Sequence, residues 1–304
     1  MNKAPNFNTH LRLMSLLLPS LMASMFLSCS TNKKRTENEQ KVKPIDYSNW
    51  VTLTNGVQYR EIKAPIKSEI GDSKISLVRM DKDSFEFDIY SATEYDSVPR
   101  SVSDWANKHK LNIVFNSGMY SQENTLLSRA FLKSSGKHVN NPSIIEDFNL
   151  MMAMSPNVNH RENIEVLDLT CENFNQIKNE FNCYAQGLRM IDCNGKPMFW
   201  KKKIQSCSMI IAAEGTDNKF YLIFCRSPYT HNQMIEFMLK MPYGIRNAIY
   251  LEGGPETSLF IDVNGHHIER VGSWVSDTWE SDENNHFWSL PNVVGIKSKT
   301  PKKK

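Results

Sequence analysis

The sequence predicts an α+β fold, a single domain with mixed, largely antiparallel sheets and a few packed helices. Two patterns predict this class: many short segments in which apolar and polar residues alternate, and three segments with helical spacing between them. The third observation is the composition, 40% hydrophobic with 10% aromatic residues, which supports a real core and excludes disorder of the whole chain.

Apolar alternation and short apolar runs predict strands in both halves of the chain. The predicted strands are Val57–Ile62, Lys74–Met80, Ser84–Tyr90, Leu111–Phe115, Leu126–Lys133, Asn149–Met154, Tyr184–Ile191, Cys207–Ala213, Lys219–Cys225, Ala248–Leu251 and Ser258–Val263. The dipeptide Asn264-Gly265 after the last of them fits a two-residue hairpin turn.

Three helices are predicted from helical spacing and capping residues. The first covers Ser101–Lys110 with Ser101 as its N-cap, and the second covers Cys171–Phe181 after Thr170. The third runs to Lys240 and opens at Thr230 with a capping box, in which the Gln three residues after the cap reaches back to it.

The six cysteines are too few for a disulfide scaffold in 304 residues. Cys207 and Cys225 lie symmetrically about the turn of the predicted hairpin, so a simple hairpin sets them opposite one another. Both a cross-strand disulfide and two facing free thiols fit that arrangement.

The N-terminal residues indicate export. Residues 1–28 contain Lys3 and Arg12 and no acid, and an apolar stretch then runs from Leu13 to Leu27, as in a signal peptide. Cys29 follows this stretch after one small residue, which resembles a bacterial lipoprotein cleavage site and predicts lipidation of Cys29. An ordinary signal peptide with an incidental Cys29 is the alternative.

These features divide the chain into four parts. They are a signal peptide at 1–28, a lipidated Cys29 with a flexible tether at 29–44, a folded domain at 45–298 and a basic tail at 299–304. The expected location is the bacterial cell envelope, with the protein lipid-anchored on a periplasmic or outer-membrane face.

Charge excludes one class of partner. The chain has 36 Lys and Arg against 33 Asp and Glu, for a net charge of +3. The surplus lies at the two ends, so the folded part is near neutral, unlike a protein that binds nucleic acid through a broad basic surface.

Three segments combine an apolar strand with glycines and polar groups, at Ile113–Tyr120, Tyr184–Met190 and Ile249–Ser258. A strand that ends in glycines exposes backbone amides and lets a ligand approach closely. Glu252 stands where such a strand stops, so it is a candidate acid, base or metal ligand. A turn carboxylate bonded to nearby amides is the competing interpretation.

Several ordered motifs resemble the phosphodiester glycosidase family, in its bacterial branch. Leu251-Glu252-Gly253-Gly254-Pro255-Glu256-Thr257-Ser258-Leu259 is similar to the family's strand-end motif, and Val114-Phe115-Asn116-Ser117-Gly118-Met119-Tyr120 to its early Asn-x-Gly-aromatic motif. Further similar segments are Gln186-Gly187-Leu188-Arg189, Phe224–Tyr229, Asn285–Trp288 and Leu290–Val293. The resemblance runs from Ser73 to Ile296.

The resemblance implies hydrolysis of a sugar-1-phosphodiester or a related anionic glycan bond. On this basis the catalytic candidates are Glu252, Arg189 and Arg226, with the two guanidinium groups holding the anion. The substrate-binding candidates are Asn116, Gly118, Gln186, Gly253, Gly254 and Ser258.

Two departures from the family pattern bear on the substrate. Glu252 stands where another branch of the family has Asp followed by a Gly-Gly-Gly-Ser-Ser-like turn, and Pro255-Glu256-Thr257 replaces that turn here. Gly187-Leu188-Arg189 replaces a Ser-Gly-Pro stretch, which adds a cation and loses a hydroxyl. The expected partner is a carbohydrate or sugar phosphodiester.

Other groups carry weaker signals. His266, His267 and His286 lie near several acids without the spacing of a known metal site, so no cofactor is assigned and a divalent ion stays open. Trp274 and Trp288 belong to an aromatic group that either stacks on sugars or covers the core. The rival function is a non-catalytic glycan- or envelope-binding lipoprotein on the same fold.

Overall fold

The structure is a computed structural model that describes Asp46, residues 48–201 and residues 205–299. In order, its strands are β1 (Val51–Thr54), β2 (Val57–Lys63), β3 (Lys74–Asp81), β4 (Phe85–Ser91), β5 (Ile113–Asn116), β6 (Leu132–Lys133), β7 (Val139–Asn141), β8 (Leu150–Pro156), β9 (Ile164–Asp168), β10 (Phe181–Ile191), β11 (Ser206–Glu214), β12 (Lys219–Thr230), β13 (Arg246–Gly253), β14 (Ser258–Val263), β15 (His266–Val271) and β16 (Asn292–Ser298). The α-helices are α1 (Val102–His109), α2 (Phe174–Ile177) and α3 (His231–Lys240).

Two antiparallel sheets carry the fold. The larger has 11 strands, with the order β1-β2-β3-β12-β11-β13-β10-β6-β7, and β8 and β9 continue from β10. The smaller has five strands in the order β15-β14-β5-β16-β4. Strand pairing is antiparallel throughout the described residues, so the prediction of a largely antiparallel sheet is confirmed, in a fold with more sheet and less helix than the α+β expectation.

The main core lies between the two sheets. It joins residues such as Phe224 and Leu251 of the large sheet to Phe115 and Ile261 of the small one. A second core packs α3 on the outer face of the large sheet, and a third packs α1 on the outer face of the small sheet. Because both faces of the central strands are covered, their sequences are nearly continuous apolar runs.

Most predicted elements are present with small shifts at their ends. Ser101 caps α1 by accepting a hydrogen bond from the Asp104 N–H, and both bonds of the Thr230–Gln233 capping box open α3. Asn264 and Gly265 both have positive φ, as a two-residue hairpin turn requires.

Three predictions are wrong. The predicted helix at Cys171–Phe181 is only the single turn α2, capped by Asn173, because Phe181 already belongs to β10. The predicted strand Leu126–Lys133 contributes only its last two residues to β6.

The third error concerns the hairpin of β11 and β12. Cys225 pairs with Met209, and Cys207 pairs with Tyr229 across a register shift, so the two cysteines are not opposite one another. Both are free thiols, and the disulfide in the described part joins Cys171 to Cys193.

The predictions for Cys29, the signal peptide, the tether and residues 300–304 concern residues outside the described part of the chain. Among the residues that are described, the helices are all too short or too polar to cross a bilayer.

Candidate functional site

The three glycine-containing segments meet where the chain crosses from the large sheet to the small one. β13 ends at Gly253, a single 3₁₀ turn covers Gly254–Glu256, and β14 starts in the other sheet at Ser258. Asn116 at the end of β5 holds this crossing: its Nδ2 donates to the Glu256 carbonyl at 3.0 Å, and its Oδ1 accepts from the Ser258 N–H at 2.8 Å.

Glu252 lies beside this crossing in an environment that keeps it protonated near neutral pH. Desolvation raises the pKa of Glu252 to about 8, and the charge of Glu256 acts in the same direction. The hydrogen bond from the Gly253 N–H to Oε1, at 3.0 Å, lowers the pKa and only partly offsets the burial. A carboxylic acid in this state is able to donate a proton at neutral pH.

Glu256 supplies a second carboxylate four residues later. The Tyr120 hydroxyl donates a hydrogen bond to its Oε1 at 2.9 Å. Burial raises the pKa of Tyr120, and the charges of Glu256 and Glu252 raise it further, so this phenol stays a hydrogen-bond donor. The early motif and the strand-end motif therefore meet through Tyr120 and Glu256.

Glycines at the site allow backbone segments to approach one another more closely than a side chain would permit. A Cβ atom at Gly253 would lie 2.9 Å from the Cys207 Sγ and 3.1 Å from the Ser208 carbonyl, so only glycine fits. Gly254 has φ +75° and Gly118 has φ +151°, both in the region that glycine tolerates best. Gly118 lies over the Gln186 carbonyl, which places the early motif against β10.

Two of the predicted sugar-binding side chains are bonded to the backbone. Gln186 is buried and donates to the carbonyls of Ile145 and Phe148, while its Oε1 accepts from the Ile145 N–H at 3.0 Å. The Ser258 hydroxyl is also buried and donates to the Glu256 carbonyl at 2.9 Å. Together with Asn116, these residues shape the crossing and fix its loops.

Arg189 is ion-paired away from the two glutamates. Its Nη1 lies 2.9 Å from both carboxylate oxygens of Asp168 and 2.9 Å from the Thr170 hydroxyl. On β10, Arg189 is opposite Ile249, three residues before Glu252 on β13, which is about 10 Å along a strand. Arg189 is therefore not the neighbour of Glu252 across the sheet.

Arg226 belongs to a different cavity, with a volume of about 640 Å³ at the edge of both sheets. Its Nη1 donates to the Val271 carbonyl at 3.0 Å, and its Nη2 lies 2.9 Å from the Asp282 carboxylate. Arg270 and Lys74 line the same cavity, where Glu61 pairs with both. The cationic side chains there are balanced by acids.

One group within the described residues has the composition of a metal site. Ligand atoms of Asp168, Cys171 and Cys193 lie within 4.8 Å of one another. The two cysteines form a disulfide, however, and the carboxylate pairs with Arg189. His267 lies near Asp262 and Glu269 in ion-pair geometry, and it forms no three-residue ligand group within the described ranges.

The sequence pattern of the phosphodiester glycosidase family matches residues 109–297, more than half of the chain. The chain belongs to the phosphodiester glycosidase family. The prediction of this family is confirmed, and membership supports a glycosidase-type function. No curated protein matches the chain by sequence.

Solved structures show the same fold in other proteins. The catalytic domain of zebrafish N-acetylglucosamine-1-phosphodiester α-N-acetylglucosaminidase, auto-inhibited by its pro-peptide, aligns with a TM-score of 0.54 and 13% identity over 80% of this chain and 84% of that one. A hypothetical protein from Synechocystis aligns with a TM-score of 0.52 and 9% identity over 82% of this chain and 63% of that one.

The phosphodiester glycosidase motifs did not single out two residues that the structure brings to Glu252. In the sequence, Glu256 belongs to the altered turn and Tyr120 is the aromatic residue of the early motif, and neither position by itself indicates a catalytic role. A spacing of four residues between two carboxylates across a glycine turn was the available signal for Glu256. The Tyr120 contact depends on the pairing of β5 with β14, the strand that follows Glu256, and spacing within one segment does not reveal that pairing.

Proposed function

We propose that this phosphodiester glycosidase hydrolyses a sugar-1-phosphodiester or a related anionic glycan bond at Glu252 and Glu256. The observation that carries the proposal is a pair of neighbouring carboxylates in unlike environments. Burial raises the pKa of Glu252 to about 8, while Glu256 accepts a hydrogen bond from Tyr120. Unlike environments in a carboxylate pair are how glycosidases separate their acid from their base or nucleophile.

In this reaction Glu252 is the general acid. It gives its proton to the oxygen that links the sugar C1 to phosphorus, and the C1–O bond breaks. Glu256 either removes a proton from the attacking water or attacks C1 before water does. The products are the free sugar and a phosphate monoester, and water supplies the added hydroxyl and proton.

The protonated state of Glu252 also suits an anionic substrate. A phosphodiester carries one negative charge, which two ionised carboxylates would repel. Because Glu252 is neutral at neutral pH, the phosphodiester oxygen meets a hydrogen-bond donor there. Arg189 and Arg226 have no direct role in this proposal, since each is already ion-paired.

The location is part of the same proposal. The signal-like residues 1–28 and Cys29 support a lipid-anchored enzyme of the bacterial envelope, acting on glycans outside the cytoplasm. Metabolic labelling with a tagged fatty acid tests this. Label is expected on the wild-type protein and absent from Cys29→Ala, and equal labelling of both would contradict lipidation at Cys29.

Turnover of a panel of sugar-1-phosphodiesters tests the chemistry. We expect the wild-type protein to release sugar from at least one member, and Glu252→Gln to lower kcat by about 10²-fold or more, as loss of a general acid does. Glu256→Gln is expected to lose activity on a similar scale. The matched control is Glu86→Gln, an exposed glutamate on β4, which should leave kcat unchanged.

Two results would contradict the proposal. One is full activity in Glu252→Gln together with normal stability. The other is an absence of turnover across the panel with saturable binding that survives Glu252→Gln, which is the behaviour of a glycan-binding protein.

A further inference from the structure

A separate cavity of about 380 Å³ opens beside the end of β10. Its apolar surface comes from Leu188 of β10 and from Met198, Phe199 and Trp200 in the segment that leads toward β11. Met198 and Phe199 are 40% and 44% exposed, so two consecutive large apolar side chains of this cavity are accessible to a ligand. The cavity contains neither Glu252 nor Glu256.

Trp200 is held rigidly at this cavity. Its backbone N–H donates to Asn232 at 2.9 Å, and its carbonyl accepts from the Asn232 amide at 3.1 Å. Its ring stacks on His231 with centroids 3.7 Å apart and an interplanar angle of 19°. Burial lowers the pKa of His231 to about 4, so the ring beneath Trp200 is neutral at physiological pH. His231 thus covers one face of a fixed indole that also lines the cavity.

Polar groups that are free to bind a ligand surround this surface. Asp147, Asn149 and Lys201 line the cavity, and none of their side chains is hydrogen-bonded within the described part of the chain. Arg189 lines it too, but its charge is compensated by Asp168. Among the described residues that line the cavity, one acid and one lysine thus remain, so these residues offer donors and acceptors with almost no net charge.

Tyr250 connects the cavity to the strand that carries Glu252. The Trp200 and Tyr250 rings meet edge to face with centroids 5.9 Å apart, and Leu188 is paired with Tyr250 in the sheet. Tyr250 is two residues before Glu252 on β13, and its hydroxyl lies next to Cys207 and Gly253. Tyr250 therefore contacts one residue that lines the cavity and lies two residues before Glu252 on the same strand.

We propose that this cavity is a carbohydrate subsite that binds an uncharged pyranose ring. A pyranose has an apolar face of C–H groups that stacks on an indole, and a rim of hydroxyls that needs both donors and acceptors. The near-neutral rim selects an uncharged sugar over a phosphorylated one. If the protein hydrolyses a sugar phosphodiester, the subsite would bind a second sugar unit of the same substrate, and this role rests on the proposed function. Binding of a pyranose in the cavity does not depend on that hydrolysis.

Binding measurements on the Glu252→Gln protein separate the two proposals, because they need no turnover. The probes are methyl pyranosides of common hexoses and N-acetylhexosamines, each compared with its 6-phosphate, titrated by calorimetry and by NMR. We expect at least one neutral pyranoside to bind, and its 6-phosphate to bind no more tightly. Trp200→Ala should raise Kd by about tenfold or more, as loss of a central aromatic contact does.

Two further variants keep the test decisive. Phe199→Ala removes an exposed ring of the same cavity and is expected to weaken binding severalfold without loss of stability, so it decides the matter if Trp200→Ala fails to fold. Trp279→Ala is the matched control, because Trp279 is 41% exposed and packs on Trp288 outside this cavity.

Three results would overturn the subsite. They are no binding by any neutral pyranoside, unchanged affinity in Phe199→Ala, or consistently tighter binding of the 6-phosphates. If the wild-type protein turns over no phosphodiester but pyranoside binding is lost on Phe199→Ala, the subsite stands and the proposed hydrolysis fails.

Discussion

Glu252 is the residue whose chemistry depends most on its surroundings. In water its carboxyl group would be ionised at neutral pH, but burial beside the crossing of the two sheets raises its pKa to about 8. The hydrogen bond that Glu252 accepts from the Gly253 N–H lowers the pKa by less than desolvation raises it. The same burial that makes Glu252 an acid also lowers the stability of the fold as the pH rises.

This link predicts the pH dependence of stability for Glu252→Gln. An ordinary glutamate has a pKa of 4.5, and Glu252 in the folded protein has a pKa of about 8. Between these pH values the unfolded state releases the proton and the folded state keeps it, so wild-type stability falls as pH rises. Gln lacks this effect, so the variant should gain stability relative to the wild type from pH 5 to pH 8, by up to a few kcal/mol at about 1.4 kcal/mol per pKa unit.

Urea unfolding of both proteins at pH 5, 6.5 and 8 measures the difference. Glu86→Gln is the control. The difference in the free energy of unfolding between this variant and the wild type should not show the rise with pH that is expected for Glu252→Gln. A constant difference between Glu252→Gln and the wild type would show that Glu252 is ionised in the folded protein.

At the scale of elements, the crossing from β13 to β14 depends on Asn116. The Asn116 amide connects the end of β5 to both sides of this turn and is only 1% exposed. Removal of this buried side chain leaves the Ser258 N–H without its side-chain acceptor and leaves the Glu256 carbonyl with only the hydrogen bond from the Ser258 hydroxyl. A sugar-binding side chain would instead have its amide facing open space.

Asn116→Ala is therefore expected to lower the free energy of unfolding by about 2–4 kcal/mol, as two buried groups lose a hydrogen bond. Asn116→Asp keeps the acceptor for Ser258 and loses the donor to Glu256, and its charge is buried, so it should also destabilise. Chemical denaturation measures both. A stable Asn116→Ala protein with weakened substrate binding would instead support the sugar-binding role that the motif suggests.

The elements also show which parts of the fold can be predicted from the sequence. The α3 capping box and the Asn264-Gly265 turn are predicted correctly, because their hydrogen bonds and dihedral angles are set by neighbouring residues. The predicted helix at Cys171–Phe181 is wrong because its apolar residues are divided between two elements. Phe174 and Ile177 lie in α2, Phe181 lies in β10, and the three pack together.

The candidate site was predictable only in part for the same reason. Glu252 and its glycines were found because they adjoin in sequence, and the family motifs identified them. Glu256 meets Tyr120 only because the chain changes sheets between β13 and β14. Arg189 was expected at the anion, but its bond to Asp168 depends on β9, a strand that the sequence patterns did not reveal.

For the whole molecule, burial on both faces of the large sheet should protect its free thiols from alkylating reagents. Cys183, Cys207 and Cys225 are free and buried among the described residues. Burial raises the pKa of Cys207 to about 12, and it raises the pKa of Cys183 and Cys225 still further. Only the thiolate reacts quickly with alkylating reagents.

We therefore expect no alkylation of these three cysteines at pH 8 in the native protein and complete alkylation after unfolding. Cys171 and Cys193 should react only after a reductant is added. Peptide mass spectrometry after a timed reaction checks each position separately. Labelling of Cys207 faster than global unfolding would show that this face of the large sheet opens locally.

The central claim is that Glu252 acts in its protonated form. The most direct test is the pH dependence of kcat/KM for a hydrolysed sugar-1-phosphodiester, which reports ionisations in the free enzyme. We predict that kcat/KM is sustained at neutral pH and falls as the pH rises past an apparent pKa of about 8, where Glu252 loses its proton. A rate that instead rises through pH 8 would contradict the claim, because the working form of Glu252 would then be the carboxylate.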